Sequence, residues 1–193
     1  MLYERAHVNV QTNEITIPSE VEEAKKKEQE PIFGWHTDSQ PFVCIVMLSS
    51  PPPDAMGGQT YVKKASGEIV KLSFPSAGYA YLLQGSVLPH AAMPALNYER
   101  ETMITSFVPT DARFRECTNL DLAINYSPIE ETLREFVGHK RNYVKKRLGL
   151  LDDIDPSSVE GVEQIEKVID DLVEDLANTK RSMDAVKKAI EAR

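Results

Sequence analysis

Three side chains in this sequence could share one metal ion: His36, Asp38 and His90, with Arg100 ten positions beyond the last. His36 and Asp38 are two residues apart, so on an extended backbone their side chains leave the same face. His90 follows fifty-four residues after His36, enough chain for several strands to turn back on themselves. Two imidazoles and one carboxylate are the ligand types that hold non-haem Fe(II) on one side and leave open coordination positions on the other. Each residue type is common, so the His-x-Asp pair alone carries little. The expectation rests on the ordered set. In the competing reading His36 and Asp38 cap turns and His90 is a hydrogen-bonded histidine in a sheet.

The chain that must position these residues reads as short strands. Val8 and Val10, then Ile15 and Ile17, alternate about Thr12-Asn13, as in a hairpin or two short strands. Residues 19–31 form a charged run without an apolar stripe, a solvated connection. Phe42 to Leu48 is a continuous apolar run closed by Pro51-Pro52-Pro53, which predicts a strand buried on both faces. Further strands are predicted at 59–63, 68–73, 78–83, 86–90 and 101–108, with turns at Gly57-Gly58, Ser66-Gly67 and Gly85. Ala123 to Tyr126 is either a last strand or the approach to a helix. Short strands at this spacing predict a sandwich or barrel.

The texture changes at Ser127-Pro128. Ser127 suits an N-cap, Pro128 the first helical position, and Glu130-Glu131 the positive end of the helix dipole. Ile129, Leu133, Phe136, Val137, Tyr143 and Val144 then recur at helical spacing. From Val162 onward Ile165, Ile169, Leu172, Leu176, Met183, Val186 and Ile190 step by three and four, with Thr179 the one polar seam position. This is a coiled-coil-like heptad, expected to mediate self-association or bind a partner helix. Its rival is a helix folded back as an antiparallel hairpin on 128–150. The expected division is therefore a β domain over 1–127 and a helical region over 128–193, coiled-coil-like over 159–193.

Composition bounds the rest. The 193 residues carry a net charge of −8 and are 41% hydrophobic, enough for a real core. Residues 1–127 are net −5 and the remainder net −3, so neither part is a basic module and nucleic acid is not an expected partner. Cys44 and Cys117 are the only cysteines, which implies no disulfide framework. The start Met1-Leu2-Tyr3-Glu4-Arg5 has no apolar secretory core, and no apolar run has membrane-spanning length. An intracellular protein, cytoplasmic or nuclear, is expected.

Four stretches in order carry a family likeness: WHTDSQPFVCIVMLS, GGQTYV, LLQGSVLPHAAMP and ERETMITSFVP. Segment 35–108 resembles the Fe(II)/2-oxoglutarate-dependent oxygenases, of the prolyl-hydroxylase type. The nearest likeness is to fungal proteins with this domain, which share DS-x-PFVC-x-x-MLS, GGxT, LQG before the distal His, TMxTSF and a charged helical tail. The resemblance implies a double-stranded β-helix (jelly-roll) in an α+β chain. It implies His36, Asp38 and His90 as ligands of Fe(II). It implies that Arg100 pairs with the distal carboxylate of 2-oxoglutarate, to which a planar guanidinium offers a two-pronged fit. Thr102, two residues on, would share that face and bond the same carboxylate. The implied reaction oxidises an unidentified small-molecule or protein substrate and releases succinate and CO2. The rival for Arg100 is a surface pairing with Glu99 or Glu101, although strand parity turns those two away from it. Only thirty-five residues precede His36, fewer than in many members, so a minimal domain, a fragment and a degenerate copy are all expected forms.

Other polar residues are weaker. Tyr81 and Gln84 lie near the distal-His strand, with sheet packing as their default. Trp35 is read as a packing aromatic, His7 and His139 as structural, and Gly57-Gly58 as a bulge or turn because no phosphate-loop Lys follows. The alternative function is a catalytically inactive jelly-roll interaction protein assembled through its last helix. A third is a different metal-dependent jelly-roll of the cupin type, which Thr37-Asp38 does not suit.

Overall fold

Alternating apolar residues decide which side of each strand turns inward. The computed structural model describes residues 6–12, 31–120, 124 and 128–191. The expected strand at Ile15–Ile17 and the charged run at 19–30 lie outside them, as does most of 123–126, of which Ile124 is helical. The chain divides into two compact units: Arg5–Asp38 with Phe42–Ser106, and Ser39–Pro41 with Phe107–Arg193.

The first unit holds seven strands: β1 (His7–Gln11), β2 (Phe42–Met47), β3 (Thr60–Lys63), β4 (Ile69–Leu72), β5 (Ala80–Leu83), β6 (His90–Ala92) and β7 (Arg100–Phe107). They form two sheets, ordered β1-β7-β2-β5 and β4-β3-β6. The β1–β7, β2–β5, β3–β4 and β3–β6 pairs are all antiparallel. β2 alternates half-buried and buried residues rather than burying both faces equally. Its Val43, Ile45 and Met47 meet Val62 of β3, Phe74 and Leu83 of β5 in one apolar cluster, so side chains from both sheets build the core. At roughly 25 cal/mol per Å² of apolar surface, such a cluster is the main stabilising contribution of the unit. In β7 the even positions Arg100, Thr102 and Ser106 are buried, at 2%, 1% and 3% exposure. Period-two geometry therefore aims a guanidinium inward and leaves Glu99 exposed and Glu101 half-buried.

The second unit contains α1 (Ile129–Gly149), a short 3₁₀ turn at Leu150–Asp153, and α2 (Val159–Glu191). Pro128 stands at the N-cap, one position before its expected place, and its carbonyl accepts the first helical bond from Thr132. The two helices are antiparallel: Arg147 pairs with Asp171, and Phe136 clusters with Val186. The folded-back hairpin is thus the arrangement formed. The expected seam is rotated by about one residue. α2 buries Gly161, Val168, Leu172, Asp175, Ser182 and Val186, while Val162, Ile169, Leu176 and Ile190 are exposed. Arg147 of α1 pairs with Asp171 of α2 across the hairpin. Among the described residues no helix is long and apolar enough to cross a membrane, and Cys44 and Cys117 are not joined in a disulfide.

Candidate metal centre

His36, Asp38 and His90 come together. One ligand atom from each lies within 4.8 Å of the others. The backbone does the positioning. His36 N–H donates to the His90 carbonyl at 3.1 Å, and His90 N–H returns a bond to His36 at 2.9 Å. This reciprocal bridge sets the two rings 4.6 Å apart between centroids. Asp38 is anchored by its N–H to the Gly85 carbonyl at 2.8 Å. Any Cβ on Gly85 would collide with the Asp38 carboxylate, so glycine there gives the acid its place. The sequence suggests only a turn at Gly85; its service to Asp38 becomes legible only once residues 38 and 85 are adjacent.

Each ring has one nitrogen occupied. His36 Nδ1 lies 3.1 Å from the Gly34 carbonyl, and His90 Nδ1 lies 2.9 Å from the Leu88 carbonyl. A neutral ring that donates through Nδ1 presents a lone pair at Nε2. His90 Nε2 is 3.4 Å from Asp38 Oδ2, and His36 Nε2 is 3.9 Å from Asp38 Oδ1. Asp38 Oδ2 is buried and accepts no hydrogen bond. Two lone pairs therefore face a carboxylate, one of whose oxygens is orphaned, an arrangement a cation would complete. Burial lowers the His90 pKa, but the Asp38 carboxylate and the Leu88 carbonyl outweigh it and the net shift is upward from 6.5. A proton can thus occupy the place a metal would take. The donor set of two imidazoles and one carboxylate suits Fe(II).

Arg100 forms a second feature of the same unit. Its Nη1 reaches Thr102 Oγ1 at 3.4 Å, and its guanidinium stacks 5.8 Å from the Phe74 ring centroid. Arg100 Nε is buried without a hydrogen-bond partner, and among the described residues no carboxylate pairs with the guanidinium. Burial pulls its pKa down, with Tyr98 opposing. Gly57 and Gly58, at φ +73° and +74°, run the backbone directly beneath it: a Cβ on Gly58 would strike Tyr98 and crowd Arg100 Cδ at 3.2 Å. Gly58 therefore belongs to the Arg100 surroundings, while Gly57 lies against Pro94 and Leu96.

The weaker candidates have structural places. Tyr81 donates to the Ser73 carbonyl and packs on Phe74 with centroids 4.5 Å apart. Gln84 and Trp35 are exposed, and His7 sits in β1 opposite Ile104. In the second unit His139 lies 3.4 Å from Glu116, which also pairs with Lys140.

No family model matches the chain. No curated protein matches it. Solved structures do show a likeness. A bsmA homologue from Methylobium petroleophilum PM1 is 22% identical over 41% of this chain and 34% of its own, with a TM-score of 0.35. A Pseudomonas putida prolyl-4-hydroxylase is 17% identical over 53% and 51%, with a TM-score of 0.38. IDO from Bacillus thuringiensis is 18% identical over 54% and 46%, with a TM-score of 0.35. The chain spans between a third and about half of the length of these structures. At these identities and scores no family and no activity follows from the likeness.

Proposed function

We propose that this chain is an Fe(II)- and 2-oxoglutarate-dependent oxygenase, a dioxygenase whose two antiparallel sheets are the halves of a jelly-roll. The reading rests chiefly on one observation: two imidazole lone pairs and an orphaned buried carboxylate oxygen converge within 4.8 Å. The motif likeness around residues 35–108, including its fungal members, supports it. Fe(II) with 2-oxoglutarate and dioxygen supplies the oxidising chemistry, releasing succinate and CO2 as the substrate is oxidised.

The protein's own residues bind and orient. His36 and His90 offer Nε2, held in that tautomer by the Gly34 and Leu88 carbonyls. Asp38 supplies negative charge from a side chain fixed through its own backbone and Gly85. Arg100 offers a buried guanidinium, paired with no carboxylate among the described residues, to the distal carboxylate of 2-oxoglutarate, and the Thr102 hydroxyl flanks it. A buried charge without a counterion is costly, and an anionic co-substrate would relieve that cost. Phe74 and the surrounding core keep water from the guanidinium, which strengthens such a pairing. An intracellular location belongs to the same proposal.

The test is anaerobic titration with Fe(II) and 2-oxoglutarate, followed by succinate release in air. One Fe(II) per chain and a weak visible charge-transfer band are expected. His36→Ala should abolish the band, and an unchanged band would reject the ligand assignment. Arg100→Ala should weaken 2-oxoglutarate at least about tenfold while sparing Fe(II), as loss of a charge-assisted pair predicts. Equal loss of both would reject its role.

A further inference from the structure

Helix α2 has two apolar sides, and only one is used within the chain. The packed side runs through Gly161, Val168, Leu172, Asp175, Ser182 and Val186. The outer side carries Val162, Ile169, Val173, Leu176 and Ile190 at 44%, 45%, 62%, 53% and 54% exposure. Single exposed apolar residues are ordinary, but these fall on one seam. With Glu166, Lys180, Met183 and Lys187 they complete positions 162, 166, 169, 173, 176, 180, 183, 187 and 190, alternating steps of four and three. The seam spans four heptads and about 42 Å at 1.5 Å per residue, long enough for a two-stranded coiled coil.

Charge selects the occupant. Residues 159–176 hold seven acids and one base, whereas residues 177–191 hold four bases and two acids. A helix of the same kind laid parallel would set acid beside acid and base beside base. Laid antiparallel, it sets the acidic end of each copy on the basic end of the other. The apolar residues permit this, because Val162 and Ile190 stand equally far, fourteen residues, on either side of Leu176. The same patch can then meet itself about a two-fold axis.

We propose that the outer face of α2 is a self-association surface, occupied by α2 of a second copy of this chain in antiparallel orientation. Val173 and Leu176 lie near the two-fold axis. Glu166 of one copy is directed toward the Lys180–Lys187 end of the other. The interface leaves the α1–α2 hairpin intact, because apart from Met183, which also packs on the Phe136–Val186 cluster, it uses the exposed side of α2.

Sedimentation equilibrium of the full chain, from micromolar to submillimolar concentration, tests this. A reversible dimer is expected, and a monomer throughout overturns the proposal, including the case where a different protein covers the seam. Ile169→Glu with Leu176→Glu should give a monomer with unchanged far-UV circular dichroism, since both positions are exposed. A dimer that survives this pair overturns the proposal. Orientation is read from charge reversal at low salt. Lys180→Glu with Lys187→Glu should weaken the dimer about tenfold, and adding Glu166→Lys should restore it. No weakening, or weakening without rescue, overturns the antiparallel arrangement.

Discussion

Each unit sets a carboxylate with a buried oxygen among basic groups, and the two carboxylates are treated in opposite ways. Glu116 in the helical unit is saturated. Its Oε1 accepts the Thr118 N–H at 2.6 Å, its Oε2 pairs with Lys140, and His139 stands 3.4 Å away. Although burial pushes its pKa up, His139, Lys140 and Thr118 together hold it down at about 2. Asp38 in the β unit is anchored by its backbone, yet its buried Oδ2 has no donor. Arg100 in the same unit is its cationic counterpart, buried with no described anion. A satisfied buried charge needs nothing further, whereas an unsatisfied one is either a cost the fold bears, as at Asp175, or a place that a ligand would complete.

That contrast can be broken or sharpened by experiment. The largest effect should come from Lys140→Met, which strands the Glu116 carboxylate and should cost about 3–5 kcal/mol of folding stability. Chemical denaturation measures it, and adding Glu116→Gln should recover much of the loss. A loss below 1 kcal/mol, as is usual for surface pairs, would show that the pair is not structural. Acid should reveal the same pairing. The Glu116 pKa in the fold, about 2, lies below its ordinary 4.5. Its contribution is therefore fully present above pH 4.5 and lost as pH falls toward 2, about 3 kcal/mol in all. Glu116→Gln should flatten that limb of the stability–pH curve, and an unchanged limb would contradict the assignment.

On the other side of the comparison, Gly85→Ala should leave the fold standing and displace the Asp38 carboxylate. Fe(II) affinity should fall about 10–100-fold, the range for groups that orient a metal ligand. Anaerobic calorimetry reads it, and wild-type affinity would show that Asp38 does not need the glycine. The smallest effect concerns Asp175, buried with both carboxylate oxygens unpartnered. Burial, aided by Glu116, raises its pKa, while Lys140 and Arg115 oppose. A raised carboxyl pKa means stability that is present at low pH and lost as the group ionises. Asp175→Asn should thus raise stability at neutral pH by on the order of 0.5 kcal/mol, seen as a small upward shift in Tm. A fall would mean that the ionised form is the stabilising one.

Much of this was legible in the sequence, and the boundary is physical. Apolar runs, alternation and turn signals located β2, β3, β4, β5 and β7 to within two residues, because they are local signals, whereas β6 begins at His90, four residues after its expected start. His36, Asp38 and His90 were legible as a group through their types and order, and the structure brings them together. Parity along β7 anticipated that Arg100 would turn away from Glu99 and Glu101. The α2 heptad was legible as a pattern, but its division between sides was not: Leu172 and Val186 of the expected seam are buried together with Gly161, Val168, Asp175 and Ser182, whereas Val162, Ile169, Leu176 and Ile190 are exposed. Ion pairs such as Arg147–Asp171 and Arg115–Glu174 link residues far apart in sequence, and no local pattern reports them. The Glu116–Lys140 pair was invisible for the same reason.

The reciprocal bond between His36 and His90 has a kinetic consequence. The segment 31–38 is stitched to the sheet by few amides: Ile32 to Ala92, His36 with His90, and Asp38 to Gly85. Short seams of this kind breathe readily, and an opened seam parts the two imidazoles. A bound ion would rivet it shut. Amide protons of residues 36, 38 and 90 should then exchange with deuterium more slowly on metal loading, so that solvent exchange at three backbone positions becomes a gauge of whether the centre is filled.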